Sequence, residues 1–199
     1  GRNFNEFSKR SEALDLYPDM GSLTLSSLNF PQQASVNEPK MIQALAKKMK
    51  DNGVHPELEI FDLGMLNYSH YLIRKGWIDP PFYYNIIVGN IAGMQCHPDA
   101  IAASLRQLPE QAWWSLGGIG NQQLTANALA ISLGGGVRVG LEDNLFYDRK
   151  KSKLATNKEL LQRIHLLREI HQREWMTPEE FGKKGFYNNG LAGRNLRIQ

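Results

Sequence analysis

Short runs of β-branched and aromatic residues alternate with amphipathic segments along the chain. The runs lie at residues 22–28, 58–62, 83–88, 113–116 and 137–141, and each predicts a strand. The amphipathic segments lie at residues 38–52, 66–75 and 124–133, and a further helix opens at His97-Pro98-Asp99. The order is therefore strand then helix, repeated along the chain.

Polar residues mark several helix starts. Asn37 is placed to cap the helix at 38–52. Thr156 with Glu159, and Thr177 with Glu180, have capping-box spacing, and the first pair opens a helix that runs to about residue 172. The last predicted strand is therefore followed by two helical segments.

Repeated strand–helix units predict a parallel sheet covered by helices, either doubly wound or closed into a barrel. A (β/α)8 barrel needs eight such units, and the chain shows five. A doubly wound sheet usually carries Gly-x-Gly-x-x-Gly after its first strand, whereas residues 117–120 follow a late strand with a different glycine spacing. Either the sheet is open, or three further units precede residue 1.

Composition narrows the function classes. The 199 residues include 23 Lys and Arg against 20 Asp and Glu, without a basic tract, which disfavours a nucleic-acid binder. The lone Cys96 excludes an internal disulfide framework. No apolar run reaches membrane-spanning length, and the N-terminus lacks a signal-peptide core. We expect a cytoplasmic protein with one domain at residues 1–186 and a loosely held tail at 187–199.

Charged residues cluster on the last predicted strand. Alternation directs Val137, Val139 and Leu141 towards the helices and places Arg138 and Glu142 on the opposite face. That face is the interior of a barrel, where unpaired charges are costly. Asp143 follows at the carboxyl end of the strand, where barrel active sites lie. A structural Arg–Glu pair is the alternative to a functional site.

Polar residues also lie on the inward face of the first two strands. Ser22, Thr24 and Ser26 alternate along the first, and Glu59 opposes Leu58 and Ile60 on the second. Inward polar groups on three strands favour convergence on a site. Taken singly, such residues more often form a salt bridge or bond the backbone.

Four segments, at residues 17–30, 56–64, 114–120 and 135–145, resemble the β-keto acid cleavage enzymes. The most specific is Arg-Val-Gly-Leu-Glu-Asp-Asn at 138–144, and the similarity extends in order over roughly residues 11–182. The resemblance implies a zinc-dependent TIM (β/α)8 barrel that condenses a β-keto acid with acetyl-CoA. The expected products are acetoacetate and a new acyl-CoA.

The resemblance also implies roles for individual residues. Glu142 corresponds to the family's zinc-binding glutamate, which acts with two histidines of a His-x-His motif. Arg138 and Asp143 correspond to its catalytic pair, with Asp143 as the base and Arg138 holding it in place.

Substrate contacts follow from the same alignment. Thr24 corresponds to a residue that binds the substrate carboxylate, and we expect Ser26 or Ser27, together with Asn29, to assist it by hydrogen bonding. Glu59 corresponds to a residue that helps to select the substrate's side chain.

The chain departs from the family pattern at several positions, among them its histidines. Its five histidines, at 55, 70, 97, 165 and 171, form no His-x-His motif. Aligned with the family, the chain corresponds to barrel strands four to eight, in agreement with the count of five. The alternatives are another metal-assisted barrel lyase or aldolase, or a catalytically silent barrel fragment. We expect a homo-oligomer.

Overall fold

A computed structural model describes residues 6–188. Its main feature is a five-stranded sheet whose strands are Met20–Thr24 (β1), His55–Ile60 (β2), Tyr83–Val88 (β3), Trp113–Gly118 (β4) and Gly136–Val137 (β5). Neighbouring strands pair in chain order, and every pairing is parallel. The structure confirms the predicted α/β fold with a parallel sheet.

Helices connect and follow the strands. They are Phe7–Ser11 (α1), Pro39–Asp51 (α2), Leu63–Arg74 (α3), Pro98–Arg106 (α4), Gln123–Ser132 (α5), Asn157–Ile170 (α6) and Pro178–Phe181 (α7). Both predicted capping boxes are present, at Thr156 with Glu159 and at Thr177 with Glu180. None of these helices within residues 6–188 has the length and apolar character needed to cross a bilayer.

The two faces of the sheet differ in chemistry. Leu58, Ile60, Tyr84 and Leu116 are fully buried on the helix-covered face. The Tyr84 hydroxyl lies 3.0 Å from Ser69 Oγ of α3. The opposite face carries polar residues at alternate positions, as the alternation in the sequence predicts. We call the carboxyl ends of the strands the upper end and their amino ends the lower end.

Aromatic rings pack at the lower end. Phe181 of α7 stacks on Phe186 with ring centres 4.5 Å apart. Phe181 also contacts Tyr83 at 5.5 Å and Trp113 at 6.4 Å, and these are the first residues of β3 and β4. The segment that follows α6 therefore crosses back to the lower end of the sheet.

The first strand is shorter than predicted. It ends at Thr24, and the chain then forms a small antiparallel hairpin with strands Leu28–Asn29 and Ala34–Ser35. Asn37 does not cap α2: its side chain donates to Ser26 O at 3.0 Å, and Glu38 occupies the N-cap position. The polar residues of this segment stabilise a loop rather than a strand and a helix start.

The last strand is also shorter than predicted, because the chain turns after Arg138 and only Gly136 and Val137 pair with β4. The predicted tail begins at residue 187, but Asn188 is buried and donates to Asp19 Oδ1 at 2.7 Å and to Asn52 O at 2.9 Å. The rest of that tail, residues 189–199, lies outside the described residues, as do residues 1–5.

Candidate active site

A cleft of about 300 Å³ opens at the upper end of the sheet, on the polar face. Its walls include Thr24, Glu59, Arg138, Glu142 and Asp143. These five residues come from β1, from β2 and from the turn that follows β5. The structure therefore brings together most of the site residues that the sequence and the family resemblance single out.

Arg138 and Asp143 form a bidentate pair. Arg138 Nε donates to Asp143 Oδ2 at 2.8 Å, and Arg138 Nη2 donates to Oδ1 at 3.0 Å. The Asp143 side chain is only 7% exposed, against 23% for Arg138. A guanidinium fork that engages both carboxylate oxygens fixes the plane of the carboxylate as well as its position.

Two further carboxylates surround Arg138. Its Nη2 also donates to Glu142 Oε2, and its Nη1 lies 3.9 Å from Glu59 Oε1. Burial acts to lower the pKa of Arg138, but the hydrogen bonds and charge of Asp143, together with Glu142 and Glu59, raise it above its ordinary value. The guanidinium therefore stays charged and holds three acidic side chains around one centre.

Hydrogen bonds from α5, and from the residues just before α5, fix the turn that follows β5. Gly120 N–H donates to Asp143 O at 2.8 Å, and Gln123 Nε2 donates to Gly140 O at 2.9 Å. Asn127 Nδ2 donates to Arg138 O at 2.8 Å. These bonds fix the backbone at both ends of the turn, so that Arg138 and Asp143 meet although alternation along a strand would place them on opposite faces.

Gly117 of β4 lets Arg138 lie close to the sheet. A Cβ atom at position 117 would come within 2.8 Å of Arg138 Cβ and 3.0 Å of its Cγ and Cδ. The arginine stem therefore runs across bare backbone before its guanidinium reaches the cleft.

Thr24 and Glu59 form the second part of the site. They are cross-strand neighbours in the sheet, and Thr24 Oγ1 donates to Glu59 Oε2. Burial raises the pKa of Glu59, and the neighbouring charges of Glu57 and Glu142 raise it further, against the lowering effects of Thr24 and Arg138. The charged form of Glu59 is thus disfavoured overall.

The other two predicted substrate-binding residues lie elsewhere. Ser26 follows the end of β1, and its hydroxyl donates to Ser27 O at 3.1 Å. Asn29 is exposed in the hairpin, where its carbonyl accepts a hydrogen bond from Asn90 at 2.9 Å. Neither is among the described residues that line the cleft.

Arg10 of α1 also lines the cleft, and the sequence did not single it out. It donates to Val36 O at 3.2 Å and to Asn37 Oδ1, which links α1 to the hairpin wall of the cleft. The helix α1 has only five residues and no polar cap, so its sequence carries little signal for this placement.

Glu142 is the predicted metal ligand, and its side chain is 66% exposed at the cleft. Within residues 6–188, no three His, Cys, Asp or Glu side chains come together as a metal-binding group. None of the five histidines, all within the described part of the chain, lines the cleft: His55, for example, begins β2 at the lower end, and His165 and His171 lie on α6 and at its end. The described residues therefore do not by themselves fit a catalytic zinc site, which needs about three protein ligands.

Comparison with known proteins supports the family resemblance seen in the sequence. The family model for the beta-keto acid cleavage enzymes matches residues 1–183. A 3-keto-5-aminohexanoate cleavage enzyme from Fusobacterium nucleatum is 34% identical over 174 residues, covering 86% of this chain and 62% of that protein. A 3-oxoadipate:acetyl-CoA acetyltransferase from Cupriavidus necator is 34% identical, covering 85% of this chain and 60% of that protein.

The fold has counterparts among solved structures. The apo structure of ObcA superimposes with a TM-score of 0.64 at 16% identity, covering 86% of this chain and 44% of ObcA. The chain spans about three fifths of the length of the curated relatives it matches. Since the family model covers nearly the whole chain, the chain belongs to the beta-keto acid cleavage enzyme family.

Proposed function

We propose that the protein carrying this chain condenses a β-keto acid with acetyl-CoA to give acetoacetate and a new acyl-CoA. The observation that carries the proposal is the bidentate Arg138–Asp143 pair at the wall of the cleft. The family and the printed names of its members support the reaction class. We also propose that the sheet corresponds to strands four to eight of a (β/α)8 barrel, since its parallel strands follow chain order as barrel strands do.

The chemistry requires a base. For the two acyl groups to exchange, the carbon between the ketone and the carboxylate of the β-keto acid has to attack the acetyl carbonyl, so a proton must leave that carbon, and the CoA thiolate is released. The thiolate then attacks the original ketone carbonyl. The bond from that carbonyl to the central carbon breaks, which gives the new acyl-CoA, and the central carbon takes a proton back to give acetoacetate. Asp143 accepts the departing proton in our proposal. Each of its oxygens accepts one hydrogen bond from Arg138 and keeps a second lone pair. Arg138 orients the carboxylate and offsets the negative charge that develops beside it.

Thr24 and Glu59 would recognise the substrate. The Thr24 hydroxyl donates to Glu59 and can redirect its proton to a substrate carboxylate, as a hydroxyl hydrogen rotates freely. Glu59 would contact the substrate's side chain. Three acidic residues around one guanidinium favour side chains that are cationic or donate hydrogen bonds.

Zinc binding by Glu142 remains a prediction. The carboxylate has the oxygen chemistry that zinc accepts and lies beside Arg138 at the cleft. A bound zinc would supply Lewis acidity towards the substrate's keto oxygen. Histidine ligands from another part of a longer protein would have to complete such a site. The homo-oligomeric state also remains a prediction.

Binding of acetyl-CoA requires positively charged groups that can contact its phosphates. The loop at residues 148–153 follows the Arg138–Asp143 turn, and Arg149 Nη2 donates to Thr125 Oγ1 near the start of α5 at 3.1 Å. Lys150 and Lys151 extend from this loop and are exposed. We propose that these two lysines contact the CoA phosphates, because parallel barrels commonly bind phosphate at the loops after their last two strands.

The test uses the purified protein that carries this chain, acetyl-CoA and a panel of β-keto acids, with acetoacetate as the measured product. Asp143→Asn should reduce turnover by about 10²–10⁴-fold, because an amide of the same shape cannot accept the proton. Its zinc content should be unchanged. Glu142→Gln should instead lower the zinc content by elemental analysis, because an amide is a weaker ligand than a carboxylate.

Asp79→Asn is the matched control, since Asp79 pairs with Lys50 at 2.9 Å, away from the cleft. It should leave both measurements unchanged. Full turnover by Asp143→Asn would exclude Asp143 as the base. Consumption of the keto acid without acetyl-CoA would favour an aldolase or another lyase, and no turnover by the unmodified protein would contradict the proposed function.

A further inference from the structure

A row of hydrogen-bonded side chains crosses four strands of the sheet beside the cleft. Ser22 Oγ of β1 donates to Glu57 Oε2 of β2 at 2.7 Å. Asn85 Nδ2 of β3 donates to Glu57 Oε1 at 2.6 Å, and Asn85 Oδ1 accepts a hydrogen bond from Ser115 Oγ of β4 at 3.1 Å. Each strand contributes one side chain, and Glu57 is the only acidic member of this row.

Glu57 lies next to the active site without lining it. It is two residues before Glu59 on the same strand, so both side chains leave the same face of the sheet. Ser22 and Thr24 repeat this arrangement on β1, and each donates to the glutamate opposite it. Glu57 is absent from the described residues that form the cleft wall.

The charge of Glu57 is not needed to hold the row together. Within residues 6–188, Glu57 forms no ion pair, so its carboxylate is stabilised there by neutral donors alone. Moving a carboxylate away from water costs more free energy than moving an amide of the same shape. A neutral glutamine could therefore make the hydrogen bonds of this row at a lower desolvation cost. The negative charge of Glu57 thus indicates a role other than holding the row together.

Glu59 is the group on which this charge acts. Both oxygens of Glu57 are held, so its charge has a fixed position, and its repulsion is one of the effects that raise the pKa of Glu59. Repulsion from Glu57 on one side, with Thr24 and Arg138 attracting on the other, confines the Glu59 carboxylate to the cleft.

We propose that Glu57 is a positioning residue that acts through Glu59 and sets where the Glu59 carboxylate lies in the cleft. Ser22 and Asn85 hold Glu57, and Glu57 directs Glu59 towards Arg138. This inference deepens the proposed function, on which its kinetic test rests. Glu57 itself does not line the cleft.

A double-mutant cycle tests the proposal. Glu57→Gln keeps the shape and removes the charge, and we expect kcat/KM for the preferred β-keto acid to fall on the order of tenfold, mainly through KM. In a Glu59→Gln background, the same substitution should have no further effect, because the group through which Glu57 acts is already neutral. Ser22→Ala removes one of the two bonds that hold Glu57 and should cause a smaller change in the same direction.

Tyr84→Phe is the control, since it removes a buried hydrogen bond to Ser69 on the helix-covered face of the same sheet. It should leave KM unchanged. Additive effects of Glu57→Gln and Glu59→Gln would overturn the proposal, as would an equal KM change in Tyr84→Phe.

A crystal structure of Glu57→Gln provides a readout that needs no activity. We expect the Glu59 carboxylate to move away from its contacts with Thr24 and Arg138, and an unchanged position would overturn the inference. If the unmodified protein shows no turnover but Glu59 moves in the variant, the proposed function fails and the positioning role stands.

Discussion

The two ends of the sheet are built from opposite kinds of side chain. At the upper end, Arg138 is surrounded by acidic groups that line an open cleft. At the lower end, Phe181 and Phe186 stack on each other and pack against Tyr83 and Trp113. The upper end buries charge beside an open cleft, whereas the lower end buries aromatic rings.

The comparison indicates that the lower end contributes mainly to stability and the upper end mainly to chemistry. Buried ion pairs contribute little net stability, because desolvation offsets their attraction. Buried aromatic rings contribute several kcal/mol each through apolar area removed from water. We therefore expect substitutions at the lower end to change stability, and those at the upper end to change chemistry.

The largest stability effect should come from Phe186, which is 1% exposed. Phe186→Ala should lower the free energy of unfolding by about 3–5 kcal/mol, because it leaves a cavity against Phe181 and Tyr83. The turnover of the protein that remains folded should be unchanged. Denaturant unfolding and an activity assay on the same samples provide the two measurements.

Phe30→Ala is the upper-end counterpart. Phe30 lines the cleft and meets Phe61 edge-on with ring centres 6.0 Å apart, but it is only half-buried. We expect a smaller loss of stability and a higher KM for the β-keto acid. Equal stability losses in the two variants would contradict the division between the ends.

A smaller effect should follow from charge at the upper rim. Lys150→Ala with Lys151→Ala should raise the KM for acetyl-CoA by about 5–10-fold, since exposed charge pairs contribute up to about 1 kcal/mol each. The difference should shrink at high salt. Arg74→Ala with Lys75→Ala removes two charges at the lower end of α3, and a similar KM change in that variant would disprove a specific contact.

The smallest effects should appear as pH dependence, with opposite signs at the two ends. Burial raises the pKa of Glu59, so the stability linked to its protonated form is present below about pH 4.5 and is lost as the pH rises through the folded-state pKa. Burial lowers the pKa of His55, so the stability linked to its neutral form is present above about pH 6.5 and is lost as the pH falls.

Unfolding curves across this pH range measure both effects. Glu59→Gln should gain stability relative to the unmodified protein as the pH rises. His55→Gln should gain relative stability as the pH falls. A common sign for the two variants would show that burial does not govern both groups.

The sequence predicted the alternating architecture because the residue pattern marks each strand, although clear signals at both ends bound only one of them. Residues 83–88 match β3 at both ends, since prolines precede this run and Gly89 follows it. Local patterns also predicted that Arg138 and Glu59 face away from the helices. The position of Asp143 at the carboxyl end of the last predicted strand placed it near the site, and the family resemblance suggested that it pairs with Arg138.

Non-local contacts account for what the sequence did not predict. Residues 22–26 keep an alternating pattern, but Leu25 is buried beyond the end of β1 rather than within it. Asn37 has ideal chemistry for a helix cap, yet its Oδ1 accepts a hydrogen bond from Arg10 and its Nδ2 donates to Ser26 O. Arg138 and Asp143 meet only because residues far away in the chain hold the intervening turn.

Gly117 has no functional group, yet the arginine of the site depends on it. Any side chain there would enter space already filled by the Arg138 stem, whose near carbons cannot swing aside as a side-chain tip can. Evolution could exchange the acids around the guanidinium one at a time and obtain new substrate preferences. Gly117 cannot change in such small steps, because any side chain there would displace Arg138. We therefore expect this position to be among the last around the site to diverge between relatives that keep the arginine.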